Sequence, residues 1–127
     1  MTHYSRIFKV VIDVPAADHD RELAYWRGAS GLQLDELAGH PEYHGSGLPG
    51  QDFALLIQRL GHGQARVHVD IHTDDLEAEV ARLERLGARR TERVAHWWVM
   101  QDPAGLPFCV LPQPRGTLTE DNAHRWD

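Results

Sequence analysis

Two stretches of this chain alternate in the same lopsided way, and each leads into a helix. Successive side chains of a β-strand point to opposite faces. Residues 7–14 therefore put Phe8, Val10, Ile12 and Val14 on one face and Ile7, Lys9, Val11 and Asp13 on the other. Residues 66–72 put Val67, Val69 and Ile71 on one face and Arg66, His68, Asp70 and His72 on the other. Each strand has one face suited to packing under a helix and one that is wholly or half polar. A pattern that recurs in both halves of a chain points to duplicated modules.

The helix after the second strand is the clearer one. Asp74 and Glu77 have the spacing of a capping box, Leu76, Val80 and Leu83 share one helical face, and Gly87 stands where a glycine cap ends a helix. The charged run Glu77, Glu79, Arg82, Glu84 and Arg85 reads as a solvated face. The first helix is expected to start near Asp18, to turn Leu23 and Trp26 inward, and to end between Gly28 and Gly31. Further strands are expected at 32–37, 53–60, 88–93, 96–101 and 107–111. Residues 38–51, rich in glycine and proline, read as a loop or a poor third strand. Asp102-Pro103-Ala104-Gly105 is a turn, because proline presets φ and glycine supplies a positive one. The polar tail 113–127 looks loose, with Trp126 as its expected anchor.

At 127 residues the chain is one ordinary domain, and 42% hydrophobic with 25% charged residues is a globular composition. No apolar run approaches the ~18 residues of a membrane span, and the first residues hold no apolar signal core. Cys109 is the single cysteine, so no disulfide forms within the chain and a reducing, cytoplasmic location is expected. A net charge of -6 disfavours nucleic-acid binding, which needs a basic face.

The strings His68-Val-Asp-Ile-His-Thr-Asp-Asp-Leu76, Ala81-Arg-Leu-Glu-Arg-Leu-Gly-Ala88 and Asp102-Pro-Ala-Gly-Leu-Pro-Phe108, in that order, resemble the vicinal-oxygen-chelate superfamily of the glyoxalase/bleomycin-resistance type. Val10-Val-Ile-Asp-Val-Pro15, Ala24-Tyr-Trp26, His40-Pro-Glu-Tyr43 and Leu55-Leu-Ile-Gln-Arg59 also look like it. The resemblance covers roughly residues 7–112. It implies an α+β fold of two βαβββ modules, forming a curved mixed sheet around a cavity. The modules would span about 5–62 and 65–112, within one domain over 1–127. It also implies a homodimer. In metal-dependent members four positions on the first and last strands of the modules hold the ion; here they carry Lys9, Gln58, His68 and Cys109. Only His68 is a usual ligand, and protonated lysine coordinates poorly. The family's metal chemistry therefore does not transfer as it stands.

The candidate ligand-binding residues are Lys9, Gln58, His68, Asp70, His72, Trp98, Cys109, Tyr43 and His44. His68, Asp70 and His72 share a strand face but spread over ~13 Å, too far for one ion to meet all three. The plain alternative is a polar cavity wall; if a metal is bound, His68 and His72 are its first candidates, with His96 as a third donor. Lys9 is either a base or anion-binding group, or one half of an ion pair with a carboxylate such as Asp70. Cys109 has apolar neighbours and reads as an inert residue, reactive only beside a base such as His68. His40, Tyr43 and His44 lie either at a cavity mouth or simply on the surface. Trp97 and Trp98 point to opposite faces, one under a helix and one toward a ligand.

Three functions fit these residues. The leading expectation is a small-molecule-binding protein without cofactor, a divalent metal not being excluded. The second is a lyase or dioxygenase-like enzyme using His68 with unusual ligands, or Lys9 as base. The third is an accessory module with a filled cavity, which the polar strand faces oppose, because buried polar groups without partners are costly.

Overall fold

The structure is a computed structural model, and it describes residues 2–127. In chain order it contains β1 (His3–Pro15), a 3-10 turn (Ala16–Asp18), α1 (His19–Ser30), β2 (Asp35–Leu37), β3 (His40–Gly47) and β4 (Ala54–Leu60). Then follow β5 (Arg66–Thr73), α2 (Leu76–Arg85), β6 (Arg89–Val94), β7 (Trp97–Gln101), β8 (Pro107–Pro112) and β9 (His124–Trp126). This is βαβββ twice over, with one added strand, and the class is α+β.

The chain divides into two compact units, Lys9–His68 and Val69–Asp127 together with the residues up to Phe8. In the first unit the strands run in the order β2-β3-β4-β1. β1 and β4 are parallel, and β3 is antiparallel to β4 and to β2. In the second unit the order is β5-β8-β7-β6, again with the first pair parallel and the rest antiparallel. A helical crossover is what lets two parallel strands of one unit lie side by side.

Each unit builds its own core between helix and strands. Ile12, Val14 and Ile57 from β1 and β4 meet Leu23 of α1 and Leu34, with Trp26 and Leu55 packed around them. Val80 of α2 meets Met100, Phe108 and Val110 from β7 and β8, flanked by Val69, Ile71 and Trp98. From the apolar faces read along β1 and β5, Ile12, Val14, Val69 and Ile71 thus lie in or against the cores under the helices, and two other residues do not. Phe8 stacks on the His72 ring at 4.4 Å instead. Val67, at the mouth of β5, is 53% exposed.

α1 ends as expected: Gly31 adopts φ +75° and its N–H reaches the Arg27 carbonyl at 3.0 Å, a left-handed cap. Four other expectations are corrected. The cap of α2 is Asp75, whose carboxylate accepts from the Ala78 N–H, while Asp74 accepts from the Tyr4 N–H. β2 is only three residues long, because Leu34 turns into the core at φ +51° and breaks the extended run 32–37. Residues 40–47 form a full strand despite their glycine and proline, zipped against β4 from Tyr43–Gln58 to Gly47–Ala54. Glu79, expected in solvent, is completely buried.

Glu79 sits at the centre of a network that ties the chain ends to α2. It accepts from His3 Nε2 at 2.8 Å and from Arg82 through two bonds of 2.8 and 2.9 Å. Arg82 in turn lies 3.7 Å over the Trp126 ring, and the Trp126 indole N–H donates to Ser5 Oγ. β9 pairs with the start of β1, so the tail is anchored by Trp126 as expected.

Candidate functional site

The polar face of the first unit is assembled by strand register. Tyr43, Gln58 and Asp13 are successive partners across β3, β4 and β1, so their side chains stand in one row. Lys9, two alternations before Asp13, lies half-buried on the same face. His68 closes the row: its Nδ1 is 2.7 Å from Asp13 Oδ2. A carboxylate only accepts, so Nδ1 is the donor of this bond. Arg66 Nε also donates to Asp13 Oδ2, at 3.3 Å, from a largely exposed side chain.

Asp13 is 1% exposed and His68 9%. Asp13 Oδ1 is buried and has no hydrogen-bond partner among the described residues. Buried carboxylate oxygens are almost always bonded, so this atom is an exception that sets Asp13 apart.

In the second unit, Asp70 on β5 is the register partner of Cys109 on β8, which is the partner of Val99 on β7. Phe108 and Val110, the neighbours of Cys109, enter the core under α2, and Cys109 therefore faces the other way. It is partly accessible rather than sealed in the apolar layer. His68 and Asp70 share a face of β5, two residues apart. Together with Cys109 they form the one group of three or more such residues, among the described residues, whose ligand atoms all lie within 4.8 Å of one another. His72, buried and stacked on Phe8, is outside that group, whereas the sequence paired it with His68.

Other candidates are also displaced. Trp98 shares its face with Met100, packs against the core under α2, and has Arg90 and Arg93 over its ring at 5.0 and 5.5 Å. Trp97 is the tryptophan on the face of Val99 and Cys109. His96 is exposed at the β6–β7 turn, edge-on to Trp97, and is no third donor. His44 is the partner of Ile57, a core residue, and so points under α1 rather than along the row of Tyr43. There it meets His19, a residue the sequence did not single out. Burial holds the His44 imidazole below its ordinary pKa, and the charge of His19 adds to this, against the pull of Glu36. A groove of about 470 Å³ lies against α2 and β9, lined in part by His3, Arg82 and Trp126, and none of the sequence candidates borders it.

Comparison with known proteins narrows the reading. Residues 9–111 match the family model of the glyoxalase-like domain. No curated protein matches the chain in sequence. Among solved structures, methylmalonyl-CoA epimerase from Mycobacterium tuberculosis superposes with a TM-score of 0.57 at 16% identity, over 86% of this chain and 89% of that one. The Streptomyces coelicolor methylmalonyl-CoA epimerase gives 0.57 at 14%, over 91% and 99%. A structure described as an NAD-dependent benzaldehyde dehydrogenase from Legionella pneumophila gives 0.59 at 6%, over 80% and 96%. At such identities the likeness is one of fold.

Proposed function

This chain belongs to the glyoxalase-like domain family, and from that premise we propose that it is a small-molecule-binding protein that needs no bound metal. Its ligand is held along the row Tyr43, Gln58, Asp13 and His68, with Lys9 at the edge. The observation that carries this reading is Asp13: one oxygen bonds His68, and the other is buried with no donor among the described residues. A ligand hydroxyl, amide or protonated amine would supply that donor. His68 Nε2 would then accept from the ligand or move a proton at the same place.

The family's metal positions do not fit an ion as a set. Neither a lysine amine nor the Gln58 amide is an ordinary ligand for a divalent ion. A second reading rests on the different group His68, Asp70 and Cys109. Imidazole, carboxylate and thiolate are ordinary zinc ligands, and Asp13 on Nδ1 is the kind of outer partner that orients a metal-binding histidine. In that reading these three residues hold a divalent ion, which would polarise a substrate oxygen, and the protein is a metal-dependent enzyme. A homodimer and a cytoplasmic location complete the proposal, the first from the family resemblance and the second from the lone cysteine.

A thermal-shift panel of organic acids, acyl thioesters and aromatic cations tests the leading reading. A compound that stabilises the wild type equally with and without chelator, but not His68→Ala or Asp13→Asn, supports it. Stabilisation that disappears with chelator and with Cys109→Ser favours the metal-dependent enzyme instead.

A further inference from the structure

Under α1, away from the polar row, two imidazoles face each other. His19 opens α1 and is 4% exposed; the His44 side chain, from β3, is 12% exposed. Their ring centroids are 5.1 Å apart, with planes tilted by 53°. Each ring turns one nitrogen outward to a carboxylate. His19 Nδ1 lies 3.4 Å from Asp20 Oδ1, and His44 Nε2 lies 4.0 Å from Glu36 Oε1. Asp20 and Glu36 are exposed, so the remaining nitrogens, His19 Nε2 and His44 Nδ1, point inward. Both are buried, and neither has a hydrogen-bond partner among the described residues.

From this geometry we infer that His19 and His44 form a two-histidine site for a borderline transition-metal ion such as Zn²⁺, separate from the polar row. Metal-binding histidines characteristically give their second nitrogen to a carboxylate; His19 Nδ1 has Asp20 within reach at 3.4 Å, while Glu36 stands near His44 Nε2 at 4.0 Å, beyond hydrogen-bond distance. The spacing also agrees. A zinc–nitrogen bond of ~2.0–2.1 Å, carried on to the ring centre, puts each centroid ~3.2 Å from the ion, and a tetrahedral angle then separates the two centroids by ~5.2 Å. The distance found is 5.1 Å. Water would fill the remaining places.

The surrounding charges set the strength of the site. Arg27 and Arg59 both act on His44 and oppose a further positive charge, while Glu36 favours one. Arg27 is held by the Gln33 and Leu34 carbonyls and cannot swing away at no cost. The start of α1 opposes a cation as well. The site therefore holds an exchangeable ion rather than one required for folding.

The test is zinc titration by calorimetry on untagged full-length protein in a His68→Ala background, which removes the other donor group. One Zn²⁺ per chain is expected to bind, with affinity reduced at least tenfold by His19→Gln or by His44→Gln. No binding in the His68→Ala protein, or binding that both further substitutions leave unchanged, overturns the site. If either glutamine variant fails to fold, NMR of the His68→Ala protein decides: zinc must shift the His19 and His44 ring protons, and unshifted signals overturn the inference.

Discussion

His68 Nδ1 and Asp13 Oδ2 lie 2.7 Å apart although 55 positions separate them in the chain. The contact buries a charged hydrogen bond between β1 and β5, and it fixes which nitrogen of the imidazole donates to the carboxylate. Asp13→Ala leaves the His68 N–H without its acceptor in a buried place, which costs about 1–3 kcal/mol. Asp13→Asn retains an acceptor oxygen and is expected to lose less. Urea denaturation of the two variants beside the wild type measures the difference; equal stability of all three would show that the pair contributes nothing.

Glu79 carries a larger share. Burial alone would raise its pKa, but hydrogen bonds from Arg82, His3 and Ser5 outweigh it and hold the carboxyl below 4.5. A carboxylate whose folded pKa is depressed stabilises the fold above its unfolded pKa, and that contribution is lost as pH falls through the folded value. Denaturation midpoints should therefore drop below about pH 4.5, and less steeply in Glu79→Gln. At neutral pH that substitution is expected to cost about 3 kcal/mol, the lower end for a broken buried pair, because Arg82 keeps some solvent contact.

His44 works in the same direction at higher pH. Its folded pKa is depressed below 6.5, first by burial and then by His19. The unfolded chain takes up this proton first, so stability present above pH 6.5 is lost as pH falls through the lower folded value. An NMR titration should place the His44 midpoint below 6.5 and move it upward in His19→Gln, which removes a cationic neighbour. A midpoint that ignores the substitution would mean the two rings do not interact.

Trp126 fastens the tail. Its ring lies 3.7 Å under the Arg82 guanidinium and its indole N–H bonds Ser5. Trp126→Ala removes both contacts and is expected to cost about 1–2 kcal/mol. Limited proteolysis should then cut within 113–123 faster than in the wild type. An unchanged cutting rate would mean that β9 pairing alone holds the tail.

The element order was legible because periodicity reports which face is buried: β5 alternates cleanly, and β1 keeps one wholly apolar face although Val11 on the other is buried as well. Asp13 was legible by the same parity as Lys9, yet its partner could be named only once β1 and β5 were placed. Glu79 was not legible: it falls among charges on an amphipathic helix, and the partner that buries it, His3, lies before the strand that the pattern marked. Trp97 and Trp98 differ by parity alone, and only the register of Trp98 with Val110 says which faces the helix. Glycine and proline hid β3 and with it the direction of His44. His19 gave no signal, since a histidine opening a helix is unremarkable until its neighbour across the core is known.

The central claim is that the Asp13–His68 row binds its ligand without a metal. Elemental analysis of untagged protein, purified without chelator, tests it most directly. The account predicts no metal whose presence depends on His68. About one ion per chain, lost in both His68→Ala and Cys109→Ser but kept in His44→Gln, would contradict it and make the protein a metal-dependent enzyme built on His68, Asp70 and Cys109.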